Sequence, residues 1–182
     1  MLSRKGLNMS DEFKITLAQL NATVGDLSGN NQKVMEAWEI ARDERSDLIA
    51  FPEMFITGYN PQDLILKTAF QKAATSSIEQ IATACSQGPA IAIGGPFCDD
   101  DKLYNSYYIL ADGKIQAVIK KHHLPNEEVF DEVRLFSSGN VDGPFQIGKM
   151  RIGSPICEDA WHSDIVETLA ETGAQTLLVP NG

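Results

Sequence analysis

Short, nearly continuous apolar runs alternate along this chain with longer stretches in which apolar residues recur every three or four positions. The first pattern predicts buried strands and the second predicts helices packed on them. Phe13–Leu20 (FKITLAQL) alternates as a strand, expected to be central, and residues 21–28 read as a loop. Asn30 or Asn31 is placed to cap a helix reaching about Glu44, because Val34, Ala37, Trp38 and Ala41 share one face. Asp47–Phe51 is a short buried strand stopped by Pro52, and it delivers Glu53 into the turn-rich loop EMFITGYNP.

A second helix is expected over 66–85, burying Ala69, Ala73, Ile78, Ile81, Ala82 and Cys85, with Gly88-Pro89 ending it. Ala90–Gly94 reads as a strand. Leu103–Leu110 and Lys114–Ile119, joined by Ala-Asp-Gly, read as a hairpin that ends at the basic turn KKHH. Residues 124–140 look irregular, with one helical turn around 129–134. Phe145–Ile147 and Arg151–Ile156 predict a further hairpin turning at Gly148-Lys149. Ser163 is placed to cap a helix through Glu171 that buries Val166, Leu169 and Ala170, and Thr176–Val179 forms a last strand.

Helices between short apolar strands imply a layered α/β fold, and the hairpins make its sheet mixed rather than purely parallel. Residues 1–11 read as a flexible tail and 12–182 as the folded part. The last strand has nothing after it to cover or extend it, so the expectation is a fragment of a larger fold.

Composition narrows the function. A formal net charge of −10 argues against a general nucleic-acid binder, which needs a basic stripe. No apolar run approaches the roughly eighteen residues of a membrane helix, and the first residues lack the apolar core of a secretion signal. Cys85, Cys98 and Cys157 are an odd number with no close pair, so free thiols in a reducing, cytoplasmic setting are expected. The three histidines show no zinc-type spacing, and Glu158-Asp159 has no third ligand nearby in sequence, so no metal is expected.

Three residues with usable chemistry each follow the end of a predicted strand: Glu53, Lys121 and Cys157. A thiol needs a base, or a neighbouring cation, to become a nucleophile. Glu53 can be the base and, once protonated, the acid for a departing amine. Lys121 can stabilise a thiolate and then an oxyanion, helped by the Glu158 backbone N–H. Each has a plainer reading alone: Glu53 as a turn residue, Lys121 as part of a solvated basic turn with Lys120, Cys157 as a small buried hydrophobe. His122 and His123 could pair with the cysteine, although packing or loop orientation is the simpler role.

The combination FPE at 51–53, KxHL at 121–124 and ICED at 156–159 resembles the Glu-Lys-Cys amidohydrolases of the nitrilase superfamily. FPEMFITGYNPQDL, GGPF, LYNSYYIL, KHHLPN, FDExR and ICEDAW resemble one branch, the glutamine-hydrolysing domain of glutamine-dependent NAD synthetases. The resemblance implies an α-β-β-α sandwich, of which this chain holds the N-terminal two-thirds. It implies Glu53 as base, Lys121 as oxyanion-side cation and Cys157 as nucleophile on the side-chain amide of L-glutamine, with no cofactor for that step. Tyr59 and Glu158 match positions that hold glutamine or shape its pocket. Glu127, with Glu128, stands where members often carry an aromatic and a glycine, which puts the pocket wall in question.

The family's further part is a C-terminal ATP-pyrophosphatase domain that uses ATP, Mg and deamido-NAD, and no matching glycine-rich phosphate loop occurs in these 182 residues. The resemblance therefore leads to the expectation of a chain with little glutaminase activity alone, associating as a homo-oligomer through an apolar sheet edge. A stand-alone amidase or carbamoylase and a catalytically silent fragment are the competing readings. A flavodoxin-like module is disfavoured, because no phosphate loop follows the first strand.

Overall fold

The computed structural model describes residues 12–127 and 130–182. The elements run β1 (Ile15–Leu17), α1 (Leu27–Asp43), β2 (Leu48–Ala50), α2 (Thr68–Ala84), β3 (Ala90–Asp99), β4 (Lys102–Ala111), β5 (Lys114–Lys120), α3 (Glu132–Leu135), β6 (Phe145–Ile147), β7 (Met150–Gly153), α4 (Ser163–Glu171) and β8 (Thr176–Leu177). Single 3-10 turns cover Gln62–Leu66 and Cys157–Trp161.

A five-stranded sheet has the order β1-β2-β3-β4-β5, parallel across β1, β2 and β3 and antiparallel from β3 to β5. A second, three-stranded sheet has the order β6-β7-β8, antiparallel then parallel. The mixed α/β class expected from the sequence is therefore present, divided between two sheets.

Successive side chains of a strand face opposite ways, and here both faces are buried. Ile49, Phe51, Ile91, Ile93, Tyr108 and Leu110 face α1 and α2, against Val34, Trp38, Ala41, Ala74, Ile78 and Ile81. The alternate residues Leu48, Ala50, Ala90, Ala92, Tyr107 and Ile109 pack with Ile152 and Ile156 of the second sheet. Gly153, next after Ile152, faces the other way, and a Cβ there would lie 3.2 Å from Leu169 Cβ on α4. The layers are thus helix, sheet, sheet, helix.

Several local expectations change. β1 is the outermost strand among the described residues rather than a central one, and Leu17 is 63% exposed. The Asp26 carboxylate, accepting from Gly29 N at 2.9 Å, caps α1. Asn30 is drawn inward instead, pinning Thr23 and Ile56 O. On α2 the buried stripe is Ala74, Ser77, Ile78, Ile81 and Ala82, leaving Ala69 and Ala73 exposed. On α4 Ile165 and Leu169 are buried, and His162 rather than Ser163 is the capping position. The β4–β5 hairpin forms as expected, with Asp112 and Gly113 at φ of 53° and 78° in the left-handed region that suits such a turn. The tail at 1–11 lies outside the described residues.

Candidate active site

Glu53 arrives by a tight departure from β2. Its loop presses so closely on β3 that a Cβ on Gly94 would sit 2.1 Å from Met54 N and 2.6 Å from the Glu53 carbonyl carbon. Only a glycine admits this approach, and Ile56 N–H then donates to Gly94 O at 3.1 Å. Met54 itself takes a φ of 49°. The outcome is a glutamate 2% exposed, directed inward.

Lys121 follows the last residue of β5, and its backbone N–H donates to Asn105 O at 2.9 Å, continuing the ladder one step. Its side chain is fully buried. The Nζ lies 2.7 Å from Glu53 Oε1 and 3.0 Å from Glu132, the first residue of α3. Asn105 Nδ2, on β4, donates to Glu53 Oε1 at 2.7 Å and approaches Glu132 Oε1 at 3.3 Å. Tyr59 Oη donates to Glu132 Oε1 at 3.1 Å. One ammonium is thus shared by two buried carboxylates.

Burial opposes the Lys121 charge, but Glu53 and Glu132 outweigh it and hold its pKa above the ordinary value. Burial raises the Glu132 pKa, Lys121 pulls it down, Glu53 pushes it up, and the balance is a raised value. Tyr59 is raised as well, by burial and then by the two carboxylates.

Cys157 opens a 3-10 turn rather than a helix, with a φ of 47°. Its thiol is pushed up to about 11, first by burial and next by the Glu53 charge, with Lys121 working against both. Glu53 Oε1 is occupied by Lys121 and Asn105, whereas Oε2 is buried with no hydrogen-bond partner among the described residues.

The final residues close one side of this cluster. Cys157 N–H donates to Pro180 O at 2.9 Å and Glu53 N–H to Asn181 O at 3.2 Å. Gly182 lies against the Tyr59 ring, where a Cβ would meet it at 2.5 Å.

The structure therefore brings together Glu53, Lys121, Cys157 and Tyr59, all singled out from sequence. Glu158 is turned aside, with Oε1 3.1 Å from His162 Nε2. Glu127 is exposed and, with Glu158, lines a neighbouring cavity of about 520 Å³. Phe130 borders the same cavity, its ring centroid 6.4 Å from that of Tyr59. An aromatic wall thus exists, a few residues beyond where the family pattern puts it; Glu128 lies outside the described residues.

Sequence reading missed Glu132 and Asn105, and it weighed Asp159 only as half of a metal pair with Glu158. Glu132 and Asn105 were in view as letters of FDExR and LYNS, but nothing in their spacing marks them as buried neighbours of Lys121. Asp159, 3% exposed, accepts the backbone N–H groups of Ile156, His122 and His123 at 2.7–3.3 Å. It clasps the turn after Lys121 to the turn that bears the cysteine. Burial raises its pKa while those N–H groups lower it, with a net rise.

Residues 14–182 match the carbon–nitrogen hydrolase family. The chain belongs to that family. This carbon–nitrogen hydrolase chain is 50% identical over 174 residues to the glutamine-dependent NAD(+) synthetase of Rhodobacter capsulatus, covering 96% of the chain and 32% of that protein. It is 39% identical over 150 residues to the Thermotoga maritima enzyme of the same description, covering 82% and 26%. The structure of glutamine-dependent NAD+ synthetase from Acinetobacter baumannii, in complex with adenosine diphosphate, superposes with a TM-score of 0.85 at 32% identity, covering 93% of this chain and 32% of that one. An amidase from Nesterenkonia sp. superposes with a TM-score of 0.81 at 23% identity, covering 93% and 64%, a likeness of fold alone. The chain spans about a third of the length of the NAD synthetases it matches. Among the described residues no helix is long and apolar enough to cross a membrane.

Proposed function

We propose that this chain is the glutamine-hydrolysing part of a glutamine-dependent NAD synthetase, with Cys157 as nucleophile, Glu53 as base and acid, and Lys121 as the cation beside the oxyanion. The observation that carries the proposal is the buried Glu53–Lys121–Glu132 cluster set against the Cys157 thiol. The likeness to NAD synthetases at 50% and 39% identity supports the choice of glutamine.

In this mechanism the thiol proton passes to the vacant Oε2 of Glu53 as sulfur bonds to the amide carbon of glutamine. The carbonyl oxygen takes up the negative charge near Lys121 Nζ. Collapse breaks the C–N bond, Glu53 returns the proton to the departing nitrogen, and ammonia leaves a glutamyl thioester on Cys157. Water, deprotonated by Glu53, attacks the thioester carbon and releases glutamate and the thiol. Glu132 and Asn105 hold Lys121 and Glu53 in place throughout. Tyr59 borders the substrate side, and Glu158 or Glu127 faces the α-ammonium of glutamine from the adjoining cavity. In the full enzyme the ammonia would amidate deamido-NAD at a separate synthetase domain using ATP and Mg, in the cytoplasm.

The test is covalent capture. A diazoketone analogue of glutamine is incubated with the protein and the adduct located by mass spectrometry. The proposal expects one adduct on Cys157, slowed by glutamine and lost in Glu53→Gln. Equal labelling of Cys98 and Cys157, or protection by asparagine as good as by glutamine, would refute it.

A further inference from the structure

The turn after Lys121 carries chemistry that amide hydrolysis does not use. His122, His123 and His162, all the histidines of the chain, converge there. The rings of His123 and His162 stack with centroids 3.7 Å apart and planes 14° from parallel. His122 meets His123 edge-on at 4.7 Å. Asp164, in the first turn of α4, places its two carboxylate oxygens 3.1 and 3.2 Å from His123 Nε2.

We propose that His122, His123 and Asp164 form a site for a divalent transition-metal ion, with Zn2+ the best fit to the donor set. One ligand atom from each residue lies within 4.8 Å of the other two. Two imidazoles and a carboxylate are donors that zinc accepts, with water completing a tetrahedron. Around tetrahedral zinc, with bonds of about 2.1 Å, neighbouring donors stand roughly 3.4 Å apart. The His123–Asp164 pair is already near that separation, so an ion replaces its hydrogen bond with little movement, and the third donor, on His122, stands within 4.8 Å of both.

The outer shell is in place too. A carbonyl oxygen can only accept, so His122 Nδ1, 2.7 Å from Gly139 O, carries the proton and leaves the Nε2 lone pair for a metal. The stacked His162 fixes the plane of His123, while its own Nε2 is engaged by Glu158 at 3.1 Å. The backbone N–H groups of His122 and His123 both hold Asp159, so an ion here would tie the turn after β5 to α4 across the strut between Lys121 and Cys157.

The 182-residue chain, titrated with Co2+ and then Zn2+, tests this. One Co2+ per chain should bind with visible d–d absorption and without the near-ultraviolet charge-transfer band of a thiolate ligand, and Zn2+ should displace it. Asp164→Asn changes a side chain that is 58% exposed and leaves the fold intact by circular dichroism. It should weaken Zn2+ binding by at least about tenfold, the lower end of what the loss of even an outer-shell partner costs. Zn2+ should raise the Tm of the unaltered chain and not that of Asp164→Asn. A thiolate charge-transfer band in place of imidazole–carboxylate coordination, or Zn2+ affinity unchanged in Asp164→Asn, would overturn the proposal.

Discussion

Replacing Lys121 by Met removes the single ammonium shared by Glu53 and Glu132 while keeping most of the side-chain volume. Both carboxylates are at most 2% exposed, so hydration cannot take over from the lysine. Leaving a buried charge without its partner costs about 3–5 kcal/mol. The cluster can limit that cost by binding one proton more than in the unaltered protein, shared between the two acids. Protonating a carboxyl with an unfolded pKa of about 4.3 costs roughly 3.7 kcal/mol at pH 7, which sets the ceiling.

The sign follows from proton counting. Glu132 already has a folded pKa above its unfolded value, and removing Lys121 takes away the charge that pulled it down. The folded variant therefore holds more protons than its unfolded chain, so stability is greatest below the ordinary carboxylate pKa and is lost as pH rises. Urea unfolding followed by tryptophan fluorescence at pH 5.5, 6.5 and 7.5 should show the deficit relative to the unaltered chain growing by about 1.4 kcal/mol per pH unit. Adding Glu132→Gln removes one of the two acids and should flatten the dependence. A deficit that stays constant across this range, or a variant as stable as the unaltered chain at pH 7.5, would refute the reasoning.

Alkylation of Cys157 by iodoacetamide should accelerate about tenfold per pH unit from pH 7 and level off only near pH 11, as read by mass spectrometry; a plateau below pH 9 would contradict the burial argument. Gly94→Ala should cost about 1–3 kcal/mol or more in urea unfolding and abolish capture of the glutamine analogue, because the added Cβ meets the backbone at Glu53 and Met54. Asp159→Ala strips an acceptor from three backbone N–H groups and should lower stability by at least about 1–3 kcal/mol. Trp161→Ser, at a side chain 84% exposed, should leave stability within about 0.5 kcal/mol.

What could be read from the sequence followed the reach of local signals. The β4–β5 hairpin, the β6–β7 hairpin and the two long helices are encoded by periodicity and by turn residues within the segments themselves. The edge position of β1 is not, since a strand carries the same apolar residues whether one neighbour or two lie beside it. Glu53, Lys121 and Cys157 stood out because each ends a strand run, which is a local mark. Glu132 and Asn105 have no such mark; they matter because β4 and α3 meet Lys121 in space. The histidines show the same limit, for His162 reaches His123 only through the fold of the turn after Cys157.

The second carboxylate also changes how the proposed nucleophile is activated. From sequence, Lys121 was free to stabilise a thiolate directly. In the structure its charge is matched by Glu53 and Glu132, and the thiol pKa rises rather than falls. In the proposed mechanism Cys157 therefore rests as a thiol beside Glu53 rather than as a thiolate–ammonium pair. On that proposal the proton leaves as the carbon–sulfur bond forms, to a base with an open lone pair nearby. Glu53 Oε1 is occupied by Lys121 and Asn105, which leaves Oε2. In the proposed mechanism Lys121 then acts late, on the oxyanion, and early only by fixing which oxygen of Glu53 is free.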